Sequence, residues 1–204
     1  MLTQPNPSTP TLAPTSGGGS CGCASTSMLF GEFEGRRQLP SDMQDHMLFL
    51  YMTARHWPGG AKILELGVRK GNSTISFLAA LESDRAGGLW SLDIATPEVP
   101  DSWYESDRWQ FLKAHDLSSR ATDFAPPELD ILFVDAEHDF GSAKAELDLY
   151  VPRVRPGGVV LCHDTDEPEL SGPGQALTAY CEEHPGLSWT NRYGCHGMGV
   201  MRIW

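Results

Sequence analysis

Acidic and imidazole side chains directly follow two apolar runs in the second half of the chain. Asp135 and His138 come after LDILFV, and His163 and Asp164 come at the end of VVLCHD. Two buried carboxylates repel each other and lose hydration, so a cation between them lowers the cost of burial. Mg²⁺ or a similar hard divalent ion binds carboxylate oxygens and leaves positions for water and substrate. Asp135 and Asp164 are therefore candidate metal ligands.

His138 is a candidate general base. An unperturbed imidazole has a pKa of about 6.5, which suits the removal of a proton from a hydroxyl at neutral pH. The alternative is that His138 caps the next helix and that His163 packs under a loop. Two acids and two imidazoles in this pattern favour proton-transfer chemistry.

A third apolar run, AKILEL, leads into the segment ELGVRKG at 65–71. Gly67 allows the chain to turn sharply, and Gly71 allows the start of a helix to approach a ligand closely. The spacing is neither that of the dinucleotide-binding GxGxxG motif nor that of the Walker phosphate loop. Because Glu65 precedes the glycines, a ligand with a cationic group is favoured over a pyrophosphate. An ordinary tight turn between a strand and a helix is the alternative.

Two more acids follow further strands. Asp93 comes after LWSL, at a separation from Gly67 close to the roughly 20 residues at which an acid meets ribose hydroxyls in nucleotide-binding folds. Asp116 follows a weaker strand, where its carboxylate could accept a hydrogen bond from an adenine amino group. A solvated strand end for Asp93 and a surface turn at Asp116 are the alternatives.

Strands and helices alternate along the chain, which is the pattern of an α/β fold with a parallel sheet covered on both faces. Ligands bind such sheets beyond the carboxyl ends of the strands, near the point where the strand order reverses. The expected strands lie at 61–66, 89–93, 109–113, 129–134, 159–162, 188–191 and 199–203. The expected helices lie at 41–56, 72–81, 143–154 and 175–182.

The helix at 41–56 has sequence signals at its start and along its length. Ser41 and Gln44 fit a capping box. Apolar residues at three- and four-residue steps predict that Met43 and Met47 fill the core. Pro152 should disturb the last turn of the helix at 143–154.

Residues 1–27 are rich in Pro, Ser, Thr and Gly, and they are expected to form a flexible tail before a single domain at 28–204. The 204 residues carry a net charge of −12 without a Lys/Arg-rich block, so nucleic acid and anionic membranes are not expected partners. No run approaches the about 18 apolar residues of a transmembrane helix, and no secretory-signal pattern is present. The five cysteines, with Cys21 and Cys23 as one close pair, are expected to be free thiols in the cytoplasm.

Together these segments resemble the class I S-adenosylmethionine-dependent methyltransferases. The resemblance is carried by ELGVRKG, Asp93, VDAEH at 134–138, the RPGG turn and CHDT at 162–165. It is strongest to small-molecule O-methyltransferases with V-D-x-x-H and H-D strand ends, and it covers about residues 41–204. It implies a Rossmann-like, doubly wound, mostly parallel seven-stranded sheet whose last strand, in GMGVMRIW, is antiparallel.

The resemblance also implies residue roles. Binding of S-adenosylmethionine is assigned to Glu65, Gly67, Gly71, Ser73, Asp93, Asp116 and Asp135. In metal-dependent relatives that act on macrolide sugars or catechols, acids at the positions of Asp135 and Asp164 bind Mg²⁺. A histidine at the position of His138 is the base in the sugar-modifying ones. Those enzymes have a second acid or an amide where His163 stands in this sequence. His163 is expected here as a third metal ligand. An imidazole at this position permits a softer metal ion than Mg²⁺, or no metal ion at all.

The expected acceptor is a hydroxyl group of a small molecule, with specificity determined by residues 28–40, 94–108 and 166–173. A metal-free O- or N-methyltransferase is the nearest alternative. A nicotinamide-dependent oxidoreductase and a non-catalytic cofactor-binding subunit are the others. The sequence leaves the oligomeric state open, including a homo-oligomer.

Overall fold

The computed structural model describes residues 23–82, 86–166 and 171–204. Seven strands form one sheet in the order β3-β2-β1-β4-β5-β7-β6. The strands are β1 (Lys62–Leu66), β2 (Gly88–Asp93), β3 (Trp109–Lys113), β4 (Leu129–Val134), β5 (Val154–His163), β6 (Trp189–Arg192) and β7 (Met198–Arg202). β1 to β5 pair in parallel, whereas β7 pairs antiparallel with both β5 and β6. The expected mostly parallel sheet with an antiparallel last strand is confirmed.

Helices cover both faces of this sheet. One face carries α1 (Cys23–Arg36), α2 (Gln44–Arg55) and α3 (Asn72–Leu81). The other carries α4 (Ser119–Phe124), α5 (Phe140–Tyr150) and α6 (Gly172–Glu183). Successive strand residues point to opposite faces, so Ile63 joins the first core and Leu64 the second. Two 3₁₀ turns, Asp101–Glu105 and Val151–Arg153, complete the described elements.

The start of α2 differs from the expectation. The predicted capping box is wrong: Met43 is the N-cap residue and makes no side-chain hydrogen bond. Ser41 Oγ instead accepts from the N–H of Met43 at 3.3 Å, which closes a local turn before the helix. Met43 and Met47 are buried, as the apolar spacing predicts.

Two residues determine where α5 begins and ends. Asp139 Oδ1 accepts from the N–H groups of Gly141 and Ser142 at 2.9 and 3.1 Å, so Asp139, not His138, caps this helix. The regular helix ends at Tyr150, and Pro152 lies in the 3₁₀ turn that follows, as expected. His138 is therefore left outside the helix, in the loop between β4 and α5.

The sequence pattern did not predict α1. Phe33 of this helix is fully buried, and its ring stacks on Tyr51 of α2 with centroids 4.9 Å apart. Because α1 begins at Cys23, the end of the segment expected as a flexible tail is helical, while residues 1–22, including Cys21, lie outside the described residues. So do residues 167–170 of the expected specificity loop. Within the described ranges, no helix is both long and apolar enough to cross a membrane.

Candidate active site

A cleft of about 950 Å³ opens beyond the carboxyl ends of the parallel strands. This is where the reversal of strand order between β1 and β4 places a ligand. Most of the predicted site residues line the cleft, namely Gly67, Ser73, Asp93, Asp116, Asp135, His138, His163 and Asp164. Glu65 and Gly71 do not line it, and each has a different position, described below.

His138 contacts both strand-end acids. Its Nε2 atom lies 3.1 Å from Oδ2 of Asp164 and 3.8 Å from Oδ1 of Asp135. A carboxylate only accepts hydrogen bonds, so this contact favours a proton on Nε2 and leaves the lone pair on Nδ1. The His138 side chain is 57% exposed, whereas the two acids are about one-fifth exposed. The structure thus presents an imidazole at the cleft surface beside a carboxylate that can orient it.

His163 lies behind the same two acids. Its Nδ1 atom is 3.2 Å from Oδ1 of Asp135 and 3.3 Å from Oδ2 of Asp164. Its Nε2 atom faces the carbonyl oxygens of Asp42 and Cys195 at 3.1 and 2.8 Å. Burial lowers the pKa of His163, but the two carboxylates outweigh burial and raise that pKa to about 11. His163 is therefore a buried imidazolium that donates toward acceptors from both ring nitrogens.

This imidazolium affects the two acids unequally. Burial raises the pKa of Asp135 above its ordinary value, even though the hydrogen bond from His163 opposes that effect. Burial also acts on Asp164, but His163, His138 and His196 together hold the pKa of Asp164 below its ordinary value. Asp164 has a φ of 58°, a left-handed conformation that is uncommon outside glycine. Strained backbone of this kind concentrates at functional sites.

One group of side chains in the described ranges could hold a metal ion. Asp135, His138 and Asp164 each offer a ligand atom, and these atoms lie within 4.8 Å of one another. Carboxylate oxygens and an imidazole nitrogen form a donor set that suits a divalent ion. His163 stands behind this group, because both of its nitrogens already face acceptors.

The loop after β1 is held by Asp93. The backbone N–H groups of Val68 and Arg69 donate to Oδ2 of Asp93 at 2.9 and 3.0 Å, and the N–H of Ala95 donates to Oδ1 at 2.7 Å. Gly67 has a φ of 89°, and a Cβ at this position would lie 2.0 Å from the carbonyl oxygen of Asp135. Position 67 therefore requires glycine. Asp93 connects the loop after β1 to the end of β2.

Gly71 and Glu65 support the cleft from behind. Gly71 is the N-cap residue of α3 with a φ of 75°, and its Cβ position is 2.6 Å from side-chain atoms of Val99 and Trp103. Glu65 is fully buried and accepts hydrogen bonds from the hydroxyls of Thr74 and Ser91. Burial raises the pKa of Glu65 to about 7, although these hydrogen bonds oppose the shift. Glu65 thus connects β1 to α3 and β2.

Asp116 lines the cleft from the turn after β3. It is buried, and its Oδ1 atom accepts from the N–H of Leu117 and contacts Nδ1 of His115, both at 2.8 Å. The hydroxyl of Tyr150 in α5 donates to the carbonyl oxygen of Asp116. Burial, followed by the neighbouring Asp116, raises the pKa of the fully buried Glu146 to about 10. The turn that contains Asp116 is therefore held in place by a side chain of α5.

Sequence reasoning missed two kinds of contact in this site. Backbone carbonyls of Asp42 and Cys195 orient His163, and no side-chain pattern signals a carbonyl contact. Arg36 and the segment Leu39–Met43 form part of the cleft wall. Residues 28–40 were expected to contribute to specificity, but the sequence offered no reason to single out Arg36.

Comparison with known proteins agrees with this architecture. A protein family described as a methyltransferase domain matches residues 64–165, which is half of the 204-residue chain. An uncharacterized protein from Sinorhizobium fredii is 24% identical over 155 residues. That alignment covers 69% of this chain and 17% of the relative, so the chain spans only a small part of the curated protein that it matches.

Solved structures share the fold, among them two methyltransferases. The O-methyltransferase from Bacillus cereus, in complex with S-adenosylhomocysteine (SAH), has a TM-score of 0.58 and 19% identity, covering 87% of this chain and 89% of that one. The MycE methyltransferase from the mycinamycin biosynthetic pathway, in complex with Mg, SAH and mycinamycin VI, has a TM-score of 0.60 and 15% identity. It covers 85% of this chain and 54% of that one. The family match includes the ends of β1, β2 and β4 and extends through Asp164, directly after β5, so the chain belongs to the methyltransferase domain family.

Proposed function

We propose that this protein transfers a methyl group from S-adenosylmethionine to a hydroxyl group of a small molecule. The observation that carries the proposal is the 3.1 Å contact between Nε2 of His138 and Oδ2 of Asp164 at the cleft surface. An imidazole oriented by a carboxylate is suited to removing a hydroxyl proton at neutral pH. The cofactor would lie along Gly67, Ser73, Asp93 and Asp116, which line the same cleft.

The chemistry required of the chain is limited. The bound cofactor supplies a methyl group on a sulfonium, a donor that needs no further activation. The chain must hold the acceptor oxygen in line with this methyl group and accept the hydroxyl proton. The oxygen–carbon bond forms as the sulfur–carbon bond breaks, and the proton passes to Nδ1 of His138. The Asp164 carboxylate then stabilises the imidazolium that forms.

A divalent ion, Mg²⁺ or another, fits the carboxylates of Asp135 and Asp164. When bound there, such an ion supplies positive charge that favours the ionised form of a nearby hydroxyl. Nε2 of His138 cannot both bind an ion and donate to Asp164. In this proposal, therefore, the two acids hold the ion and His138 acts as the base.

Metal-free methyl transfer is the second candidate, and the position of His163 favours it. Its imidazolium already supplies a positive charge 3.2 Å from Asp135 and 3.3 Å from Asp164, which offsets part of the repulsion between the two acids. Under this alternative, the acids position His138 and the acceptor without an ion.

The net charge and the cysteines bear on the methyl acceptor and on the cellular compartment. The acidic chain, with a net charge of −12, favours a neutral or cationic small molecule over nucleic acid or an anionic membrane. Cys162, Cys181 and Cys195 are free thiols, which agrees with a reducing cytoplasm.

Two measurements test the proposal. Thermal-shift titration should show stabilisation by SAH and none by NAD(H); the reverse result would rule out the proposed function in favour of an oxidoreductase. Transfer of a labelled methyl group to a panel of phenols and sugars should then be measured with and without excess chelator. Loss of transfer with chelator and its return with Mg²⁺ support the metal-assisted form, whereas unchanged transfer supports the metal-free form.

A further inference from the structure

Arg36 is a cleft residue outside the part of the chain that the methyltransferase family matches. It is the last residue of α1, whereas the family match begins at residue 64. Its side chain lines the cleft on the same side as Lys70, Asn72 and Ser73, at the start of α3. A cationic group therefore faces the end of the cleft at which the ELGVRKG loop turns into a helix.

The guanidinium group of Arg36 is fixed on three sides. Its Nε donates to Oε1 of Glu32 at 3.2 Å, and its Nη1 donates to the carbonyl oxygen of Lys70 at 2.6 Å. The guanidinium carbon lies 4.8 Å from the centroid of the Trp103 ring, over its face. The indole N–H of Trp103 donates in turn to Oε2 of Glu32 at 2.8 Å. These contacts hold the cation in place and leave further N–H donors of the guanidinium for a ligand.

The charges of the cleft limit what this cation can bind. Six acids line the cleft: Asp42, Asp93, Asp116, Asp135, Glu137 and Asp164. The arginine and lysine residues that line it are Arg36, Arg69 and Lys70, and Arg69 is paired with Asp42 at 3.0 Å. Arg36 is itself paired with Glu32, but its side chain is only 23% exposed and is held against Trp103, whereas Arg69 and Lys70 are exposed. An anionic group of a ligand is therefore best accommodated at Arg36, where the positive end of the α3 dipole adds to the attraction.

We propose that Arg36 binds the α-carboxylate of the amino acid part of S-adenosylmethionine. The inference rests on the proposed cofactor, whose amino acid part carries one carboxylate next to an ammonium group. Placing that carboxylate at Arg36 directs the remainder of the cofactor toward Asp93, Asp116 and the acids after β4 and β5. Arg36 is then a determinant of cofactor orientation, contributed by α1 from outside the family-matched segment.

The test compares two ligands by calorimetry. SAH carries the carboxylate, whereas 5′-methylthioadenosine has the same adenosine and thioether but lacks the amino acid part. Arg36→Gln should weaken SAH binding by about 10- to 100-fold, as expected for the loss of a charge-assisted hydrogen bond, and should change 5′-methylthioadenosine binding by less than about twofold. Arg36→Lys keeps the charge without the planar fork, so its loss of SAH affinity should be intermediate.

Arg37→Gln is the matched control, because Arg37 directly follows α1, pairs with Glu34 of that helix and does not line the cleft. It should leave the affinity for both ligands unchanged. Equal weakening of both ligands by Arg36→Gln, or unchanged SAH binding, would overturn the assignment. If Arg36→Gln unfolds, the Arg36→Lys variant decides by the same comparison of the two ligands. Failure of the unaltered protein to bind either ligand would instead contradict the proposed function.

Discussion

Nδ1 of His163 lies 3.2 Å from Oδ1 of Asp135, and this pair places a buried positive charge inside the acidic site. The imidazolium compensates carboxylates that would otherwise be buried close together. Its other nitrogen is held by two carbonyl oxygens, so the ring cannot turn without losing hydrogen bonds on both sides. The relationship makes His163 a positioning residue for both acids.

His163→Gln should lower the free energy of unfolding by about 3–5 kcal/mol at pH 7, because it removes the buried counter-ion of two partly buried carboxylates. Urea unfolding measures this loss. The control is His56→Gln, since His56 is exposed, and its ring donates from Nδ1 to the helix carbonyl oxygen of Met52 at 2.8 Å. The control should change stability by less than about 0.5 kcal/mol. Equal stability of the two variants would contradict the role of His163.

His138→Ala should lower kcat by about 10²- to 10⁴-fold, the usual contribution of a general base. Its side chain is largely exposed, so the fold and SAH affinity should change little. Steady-state kinetics and calorimetry on the same preparation separate the two effects. Undiminished turnover would show that another group removes the proton.

Glu146→Gln should change how stability depends on pH. The folded pKa of Glu146, about 10, lies above the ordinary value of 4.5, so its stabilising contribution is complete below about pH 4.5 and is lost as pH rises toward 10. Between pH 5 and 9 the unaltered protein should therefore lose stability relative to the variant as the pH rises, by on the order of 1 kcal/mol per pH unit. Urea unfolding at several pH values measures the difference. Parallel pH profiles for the two proteins would show that Glu146 is ionised in the fold.

Gly71→Ala should destabilise the protein by about 1–3 kcal/mol, because the added Cβ meets Val99 and Trp103 in a left-handed backbone conformation. SAH affinity should fall as well, since Trp103 supports Arg36. Gly31→Ala is the control: Gly31 lies in α1 with open space around its Cβ position. Alanine there should stabilise the helix by about 0.5–1 kcal/mol. Destabilisation of both variants to the same extent would argue against the Gly71 contact as the cause.

The sheet was predictable because each strand is marked by a short apolar run in the sequence. Continuous apolar runs mark β1 and β4, and strand-end residues such as Asp135 and Asp164 share one edge once those runs are parallel. α1 escaped prediction because its helical residues include Gly31 and Gly35, which weaken the propensity signal. Its stability comes instead from tertiary contacts such as that of Phe33 with Tyr51.

The candidate site was predictable in its residue types but not in its hydrogen bonds. Asp135, His138 and Asp164 converge as their strand ends predict. The position of His163 behind the acids depends on carbonyl oxygens of Asp42 and Cys195, which sequence patterns do not reveal. Glu65 is buried because hydroxyls from α3 and β2 donate hydrogen bonds to its carboxylate. Its position behind the cleft therefore depends on these tertiary contacts, which the ELGVRKG motif does not reveal.

The two carbonyl contacts of His163 have a consequence for the order in which the protein folds. They join His163 to residues 121 positions earlier and 32 positions later in the chain, so both require large loops to close. Contacts of such separation form late, after local helices and neighbouring strands. We therefore expect Asp135 and Asp164 to acquire the geometry described above only when the segment before α2 and the turn between β6 and β7 have docked. We expect the candidate site to be completed late in folding, because it depends on these two long-range contacts.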